Sequence, residues 1–337
     1  MASPARASPF RGGCGIARGP RALPSGDHCC GASRGGVSGV LASGADVVAI
    51  SADTQVTDLT LNDHACLTFG ENEELLDLTA AFVRDGLAGG LKVVWLSDSA
   101  PPRALAELAQ RGVTAESAAA AGQMVVAASQ DSLLADHAFA VEHAMGWLAG
   151  QASAYRGEGY PGLRIAVDMS WALRPIAGIE HLPSFEEGIA AALADTEVSM
   201  LCQYDRERFD PVTLASVAAF HTRSVAAATY HHDAVLRICR QYAPPGIRLA
   251  GEIDQAAEEA LALALAEAIR VDGDITINMA ELSFIDVFCA RTIINAARSL
   301  PPPRRVVLRC SPAVSGRFVL LGATEVPCVS LVPAHDR

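Results

Sequence analysis

From about Asp63 onward, short continuous apolar runs alternate with longer stretches in which apolar residues recur every three or four positions. The runs at 65–69, at Val93-Val94-Trp95-Leu96, and at 124–126, 163–169 and 198–204 predict strands. Runs without polar alternation belong in a parallel sheet covered on both faces. Between them, Leu75, Leu78 and Phe82 mark a helix over 71–87, stopped by Gly89-Gly90. Further helices are predicted at 102–111, 132–155 and 184–194, the last headed by Ser184 and Glu187 in an S-x-x-E capping box. This alternation predicts a three-layer α/β domain with a mostly parallel sheet over 60–239.

The pattern breaks at Gln241-Tyr242-Ala243-Pro244-Pro245-Gly246, where two prolines and a glycine predict a linker at 240–246. A second α/β region follows over 247–332. Its strands are expected at 247–250, at 275–279 with Ile275, Ile277 and Met279 alternating against Thr276 and Asn278, and at 306–310. Leu261, Leu265 and Ala268 stripe one helix, and Ala290, Ile293, Ile294 and Ala297 stripe another that begins after Asp286. Val314, Phe318 and Leu321 mark the last helix. Residues 1–45 show no periodicity and carry five Arg against one Asp, so a disordered basic tail is expected there. It lacks the apolar core of a targeting signal.

Half of the 337 residues are hydrophobic and 19% are charged, the balance of a globular protein. No apolar run approaches the roughly 18–20 residues of a membrane helix. A net charge of −12 argues against a nucleic-acid surface, which needs clustered Lys and Arg, and favours protein or small-molecule partners. Nine cysteines without C-x-x-C spacing fit a reducing cytoplasm. Neither a disulfide framework nor a metal site is expected. His231-His232 with Cys239 lack a fourth ligand at sensible spacing and read as a solvated helix face.

Two segments of the second region, Gly251-Glu252-Ile253-Asp254 and Glu281-Leu282-Ser283-Phe284-Ile285-Asp286-Val287-Phe288-Cys289-Ala290-Arg291, resemble the STAS domain of anti-sigma factor antagonists. The resemblance implies a partner surface around Asp254, Asp286, Val287, Phe288, Arg291 and Asn295. It also implies an anti-sigma factor or sigma-regulatory kinase as partner. In that family a phosphorylatable Ser or Thr follows the Asp; here Val287 stands there, so the scaffold is kept without its usual switch.

The first region resembles the MEDS sensory domain through His64-Ala65-Cys66-Leu67, Arg84-Asp85-Gly86-Leu87, the segment 163–171, Leu201-Cys202-Gln203-Tyr204-Asp205 and Phe220-His221. Thr222 replaces the Pro that often follows the last His. The resemblance implies a sensory role on a RecA-like core. A phosphate loop, G-x-x-x-x-G-K-[ST], is absent after the first strand, where Gly70-Glu71-Asn72-Glu73-Glu74 stands instead. No enzyme activity and no cofactor are therefore expected. Ligands of open parallel sheets sit at the carboxyl ends of strands. His64, Asp168, Trp171, Tyr204, Asp205 and His221 are thus candidates for a small organic ligand. The competing structural reading has Trp171 and Tyr204 covering the sheet and Asp168 capping a helix. The expected function is a cytoplasmic sensor and antagonist; an assembly scaffold or a nucleotide-dependent enzyme are the alternatives.

Overall fold

Strand β1 (His64–Phe69) runs directly into helix α1 (Asn72–Ala88). In the computed structural model, residues 54–334 are described, apart from Asp136 and Asp195. The tail expected over 1–45 lies outside the described residues. After α1 come β2 (Lys92–Ser97), α2 (Pro101–Ala109), α3 (Ala115–Ala120), β3 (Met124–Ala128) and α4 (Ser129–Ser132). A two-residue ribbon, β4 (Leu134–Ala135) and β5 (Ala138–Phe139), leads to α5 (Val141–Gly157) and β6 (Leu163–Asp168). Then follow α6 (Leu182–Leu193), β7 (Val198–Asp205), α7 (Pro211–Ala218) and β8 (Arg223–Val225).

The first sheet has the order β3-β2-β6-β7-β1-β8, and every pairing is parallel. Its strands are buried on both faces, as their unbroken apolar runs require. Val93 and Trp95 point into one core with Leu78 and Phe82 of α1 and Leu108 of α2. Val94 and Leu96 point the other way, to Leu148 of α5 and Phe185 and Ile189 of α6. Helix α6 starts at Leu182 with His181 as N-cap and no side-chain cap, so the expected box of Ser184 and Glu187 does not form.

The second sheet corrects the expected boundary. Strands β9 (Thr229–His232), β10 (Leu236–Tyr242) and β11 (Pro245–Ile253) form an antiparallel meander. The residues read as a linker, 240–246, are the end of β10, a two-residue turn and the start of β11. Gly246 sits at φ 151°, where a Cβ would strike the Thr276 carbonyl oxygen, so the close approach of neighbouring strands demands glycine. His231 and His232 lie on a strand, not on the expected helix face.

Beyond β11 come α8 (Glu258–Val271), β12 (Ile275–Met279), β13 (Leu282–Ile285), α9 (Val287–Arg298), β14 (Val306–Cys310), α10 (Pro312–Leu320) and β15 (Val329–Pro333). The sheet order is β15-β14-β12-β11-β10-β9, with β13 paired to the end of β11. Leu261 of α8, Ile293 of α9 and Phe318 of α10 cover one face. From the other face, Cys239 and Tyr242 enter the core of the first sheet beside α1. The described residues, 54–334, accordingly fall within one compact unit.

Candidate functional site

The head of α1 is where a phosphate loop would stand, and it is filled by the protein's own charges. Glu73, Glu74 and Asp77 are buried there. Arg248 of β11, Asn278 of β12 and Arg309 of β14 are direct register partners, forming a row across three parallel strands. Arg248 Nη1 lies 2.6 Å from Glu71 Oε2, and Asn278 Nδ2 donates to Glu73 Oε2 at 2.8 Å. Arg111 pairs with Glu73 at 2.9 Å, and Arg309 stands 3.6 Å from the same carboxylate. Arg237 of β10 donates to Glu74 Oε2 at 2.6 Å.

Burial raises the Glu73 and Glu74 carboxyls, but the surrounding guanidinium groups prevail and hold both below the usual carboxylate range. Asp77 behaves differently. Its Oδ1 accepts from the Tyr242 and Ala243 amides at 2.8 and 2.7 Å, while Oδ2 has no partner. Full burial outweighs those bonds and lifts its carboxyl to about 6.

A second polar cluster lies on the opposite face of the first sheet. Period-two alternation places Cys202 and Tyr204 of β7 on one face, beside His64 and Cys66 of β1, with Cys66 and Cys202 as register partners. Glu186 drops onto this group from the buried stripe of α6, between Phe185 and Ile189. His221, on the segment between α7 and β8, closes it. The His64 and His221 rings stack with centroids 4.0 Å apart.

Glu186 Oε2 lies 3.2 Å from His64 Nε2, 3.4 Å from His221 Nε2 and 3.7 Å from Cys202 Sγ. Cys202 Sγ is 3.5 Å from His64 Nε2. The Tyr204 hydroxyl donates to Glu186 Oε1. His221 Nδ1 sits 2.8 Å from the Val217 carbonyl oxygen; as a donor there it leaves Nε2 as the acceptor nitrogen. The four side chains carrying His64, Glu186, Cys202 and His221 are each at most 1% exposed.

Burial holds the His221 imidazole down to about 4, against the pull of the Glu186 carboxylate, so the ring is neutral at neutral pH. Burial pushes Glu186 up, but hydrogen bonding from His64 and Tyr204 and the electrostatic pull of the two imidazoles carry it below the ordinary range. Burial, reinforced by Glu186, raises the Cys202 thiol and the Tyr204 phenol well above their ordinary values. It lifts Cys66 to about 12.

Of the six residues expected to line a ligand site, His64, Tyr204 and His221 come together. The other three do not join them. Asp168 caps the turn after β6 by accepting from Ser170 N at 2.9 Å, and burial raises its carboxyl. Trp171 is core, packed 5.0 Å from Phe139 between ring centroids. Asp205 accepts from Glu207 N at 2.9 Å in the turn after β7. The site also lies inside the sheet–helix layer rather than in an open crevice at the strand ends. Glu186 and Cys202 were missed, and with them a cluster of metal-ligating types where none was expected. Each had a signal: Glu186 is a carboxylate within an apolar helical stripe, and Cys202 shares the parity of Tyr204.

Residues 63–222 match the family described as MEDS, the methanogen/methylotroph, DcmR sensory domain. The match ends where the second sheet has yet to begin. Among solved structures, a KaiC-like protein from the hyperthermophilic archaeon Pyrococcus horikoshii is similar with 12% identity and a TM-score of 0.41, over 56% of this chain and 80% of that one. The flagellar accessory protein FlaH from Methanocaldococcus jannaschii is similar with 9% identity and a TM-score of 0.39, over 56% and 83%. No curated protein matches the chain.

Proposed function

We propose that this chain is a cytoplasmic sensory regulator, in which the buried His64–Glu186–Cys202–His221 cluster receives the signal and the second sheet delivers it to a protein partner. The observation that carries this reading is the charged seam on α1. The strand that holds His64 continues into the helix whose first turns are clamped by Arg237, Arg248 and Arg309 of the second sheet. A change in β1 therefore has a direct covalent and ionic route to the far sheet. The match of residues 63–222 to a sensory family supports the input side.

The output side rests on the start of α9. Asp286 caps it by accepting from Cys289 N at 2.7 Å, the place a STAS-like switch would occupy. The next two residues are apolar and open to solvent, Val287 at 57% and Phe288 at 40%. Arg291 and Asn295 are exposed on the same helix. Asp254 caps its own turn through Ala256 N at 2.9 Å, and with Phe284 it borders a groove of about 320 Å³. The partner class is an anti-sigma factor or sigma-regulatory kinase, bound without phosphorylation control because Val287 has no hydroxyl.

In this reading the chain does not hydrolyse ATP, since Glu71, Glu73 and Glu74 and their arginines take the phosphate position. Among the described residues no helix is long and apolar enough to cross a membrane. The test is calorimetric binding of the full chain to the sigma-regulatory proteins of its own genome, with Val287→Asp as the variant. A carboxylate at a helix N-terminus suits the macrodipole, so stability should move by no more than about 0.5 kcal/mol while binding is lost. Binding that survives the exchange, or a large loss of stability, removes this surface from the account.

A further inference from the structure

We infer that His64, Glu186, Cys202 and His221 form a closed four-ligand site for a divalent zinc-class metal ion. This deepens the sensory reading by naming what the cluster takes, but its argument is geometric and stands apart from any signalling.

Tetrahedral zinc has metal–nitrogen and metal–oxygen bonds near 2.0–2.2 Å and metal–sulfur bonds near 2.3 Å, which put neighbouring ligand atoms about 3.3–3.6 Å apart. Four of the six edges of this cluster are 3.2, 3.4, 3.5 and 3.7 Å. All four ligand atoms lie within 4.8 Å of one another. The His64 contact and the two sulfur contacts also lie within hydrogen-bond reach, so the fourth contact is the one that discriminates. There, His221 Nε2 is buried with no hydrogen-bond partner, facing Glu186 Oε2.

The surroundings of His221 and Glu186 fit ligation as well, while His64 Nδ1 is buried without a partner. A ligating His normally spends its other nitrogen on a carbonyl or carboxylate. His221 Nδ1 does so on Val217 O. A ligating carboxylate is normally held through its second oxygen, and Tyr204 donates to Glu186 Oε1. Charge closes too. One carboxylate, one thiolate and two neutral imidazoles cancel a doubly charged cation, so a loaded site is neutral inside an apolar layer. Loading converts the Cys202 thiol to thiolate and releases its proton to solvent, with no change of oxidation state.

Two imidazoles, one sulfur and one carboxylate select a borderline ion such as zinc over magnesium or calcium, which prefer oxygen alone. Four protein ligands leave no open position, so the ion would not work on a substrate. Three ligands ride on β1, α6 and β7. The fourth, His221, sits on the connection to the three-residue edge strand β8, the part best placed to open for entry.

The test uses the full chain, stripped with a chelator and titrated with cobalt(II) as a spectroscopic probe. One equivalent should bind, with a thiolate-to-cobalt charge-transfer band and the strong visible absorption of tetrahedral cobalt. Zinc should displace it. Cys202→Ser should remove the charge-transfer band, and His221→Gln should weaken binding at least tenfold, with circular dichroism confirming that both variants fold. X-ray absorption of the zinc-loaded wild-type chain needs no variant and should show one sulfur and three nitrogen or oxygen neighbours. Failure of the folded wild-type chain to bind, a shell without sulfur, or bands unchanged in both variants would overturn the site. Zinc binding that leaves partner affinity untouched would keep the site and remove the sensory reading instead.

Discussion

Two buried carboxylate clusters flank the first sheet, and they are neutralised in opposite ways. At the head of α1, Glu73 and Glu74 are met by fixed cations: Arg111, Arg237, Arg248 and Arg309. Across the sheet, Glu186 is met by two imidazoles, a thiol and a phenol, none of which carries a permanent charge. The first arrangement answers its carboxylates with permanent charges and holds two sheets together. The second has its polar atoms directed at a common centre and depends on protons or an ion to balance it. On the proposed reading the first is a joint and the second a receptor, told apart by what answers the buried charge.

The sharpest way to break this contrast is Glu74→Ala. It leaves Arg237 buried without its carboxylate and Arg248 with Glu71 alone, and removing one partner of a buried pair costs about 3–5 kcal/mol. Because the sheets share the seam, thermal unfolding should remain a single transition at a much lower temperature. Splitting into two transitions would show that the sheets fold independently.

Next in size is the pH response of Asp77, whose carboxyl is lifted to about 6 in the folded chain. Ionising it costs the folded state more than the unfolded chain, so its contribution to stability falls as pH rises from about 4 through 6, by about 3 kcal/mol in all. Asp77→Asn removes that dependence, and its advantage over the parent should be larger at pH 8 than at pH 4. A difference that is flat with pH would contradict the burial argument. Glu73 and Glu74 have the opposite sign: held low by arginines, they stabilise above the ordinary carboxylate range and lose this as pH falls through their folded values.

Glu186→Gln should be the mildest of the three. The amide keeps an acceptor for Tyr204 and leaves no fixed cation stranded, so urea unfolding should report a loss of about 1–3 kcal/mol. A loss as large as that of Glu74→Ala would erase the distinction between joint and receptor.

Much of this fold is written locally. Val93–Leu96 reads as a buried strand because both of its faces meet apolar helices, and α9 reads as a helix because Ala290, Ile293, Ile294 and Ala297 all enter one core. The hairpin of β10 and β11 was not legible. Arg237, Arg240 and Arg248 look like solvated positions, yet Glu71 and Glu74, more than 160 residues away, make Arg237 and Arg248 interior. Asp272 does the same for Arg240 at 2.6 Å. The prolines at 244 and 245, read as a linker, only tighten a turn. The His64–Glu186–Cys202–His221 cluster was half legible. His64, Tyr204 and His221 stood out by type, whereas Glu186 and Cys202 become ligands only once α6 is laid across β7. Asp168 and Trp171 carried the same chemistry on paper and are spent on a cap and a core contact.

On the proposed reading the buried His64–Glu186 cluster and the seam communicate. Amide hydrogen exchange on the full chain, with and without Glu186→Gln, tests this most directly. Altered protection is expected at the Tyr242 and Ala243 amides, which donate to Asp77 across the seam, and at the start of α9. Changes confined to β1, α6, β7 and the His221 segment would contradict it.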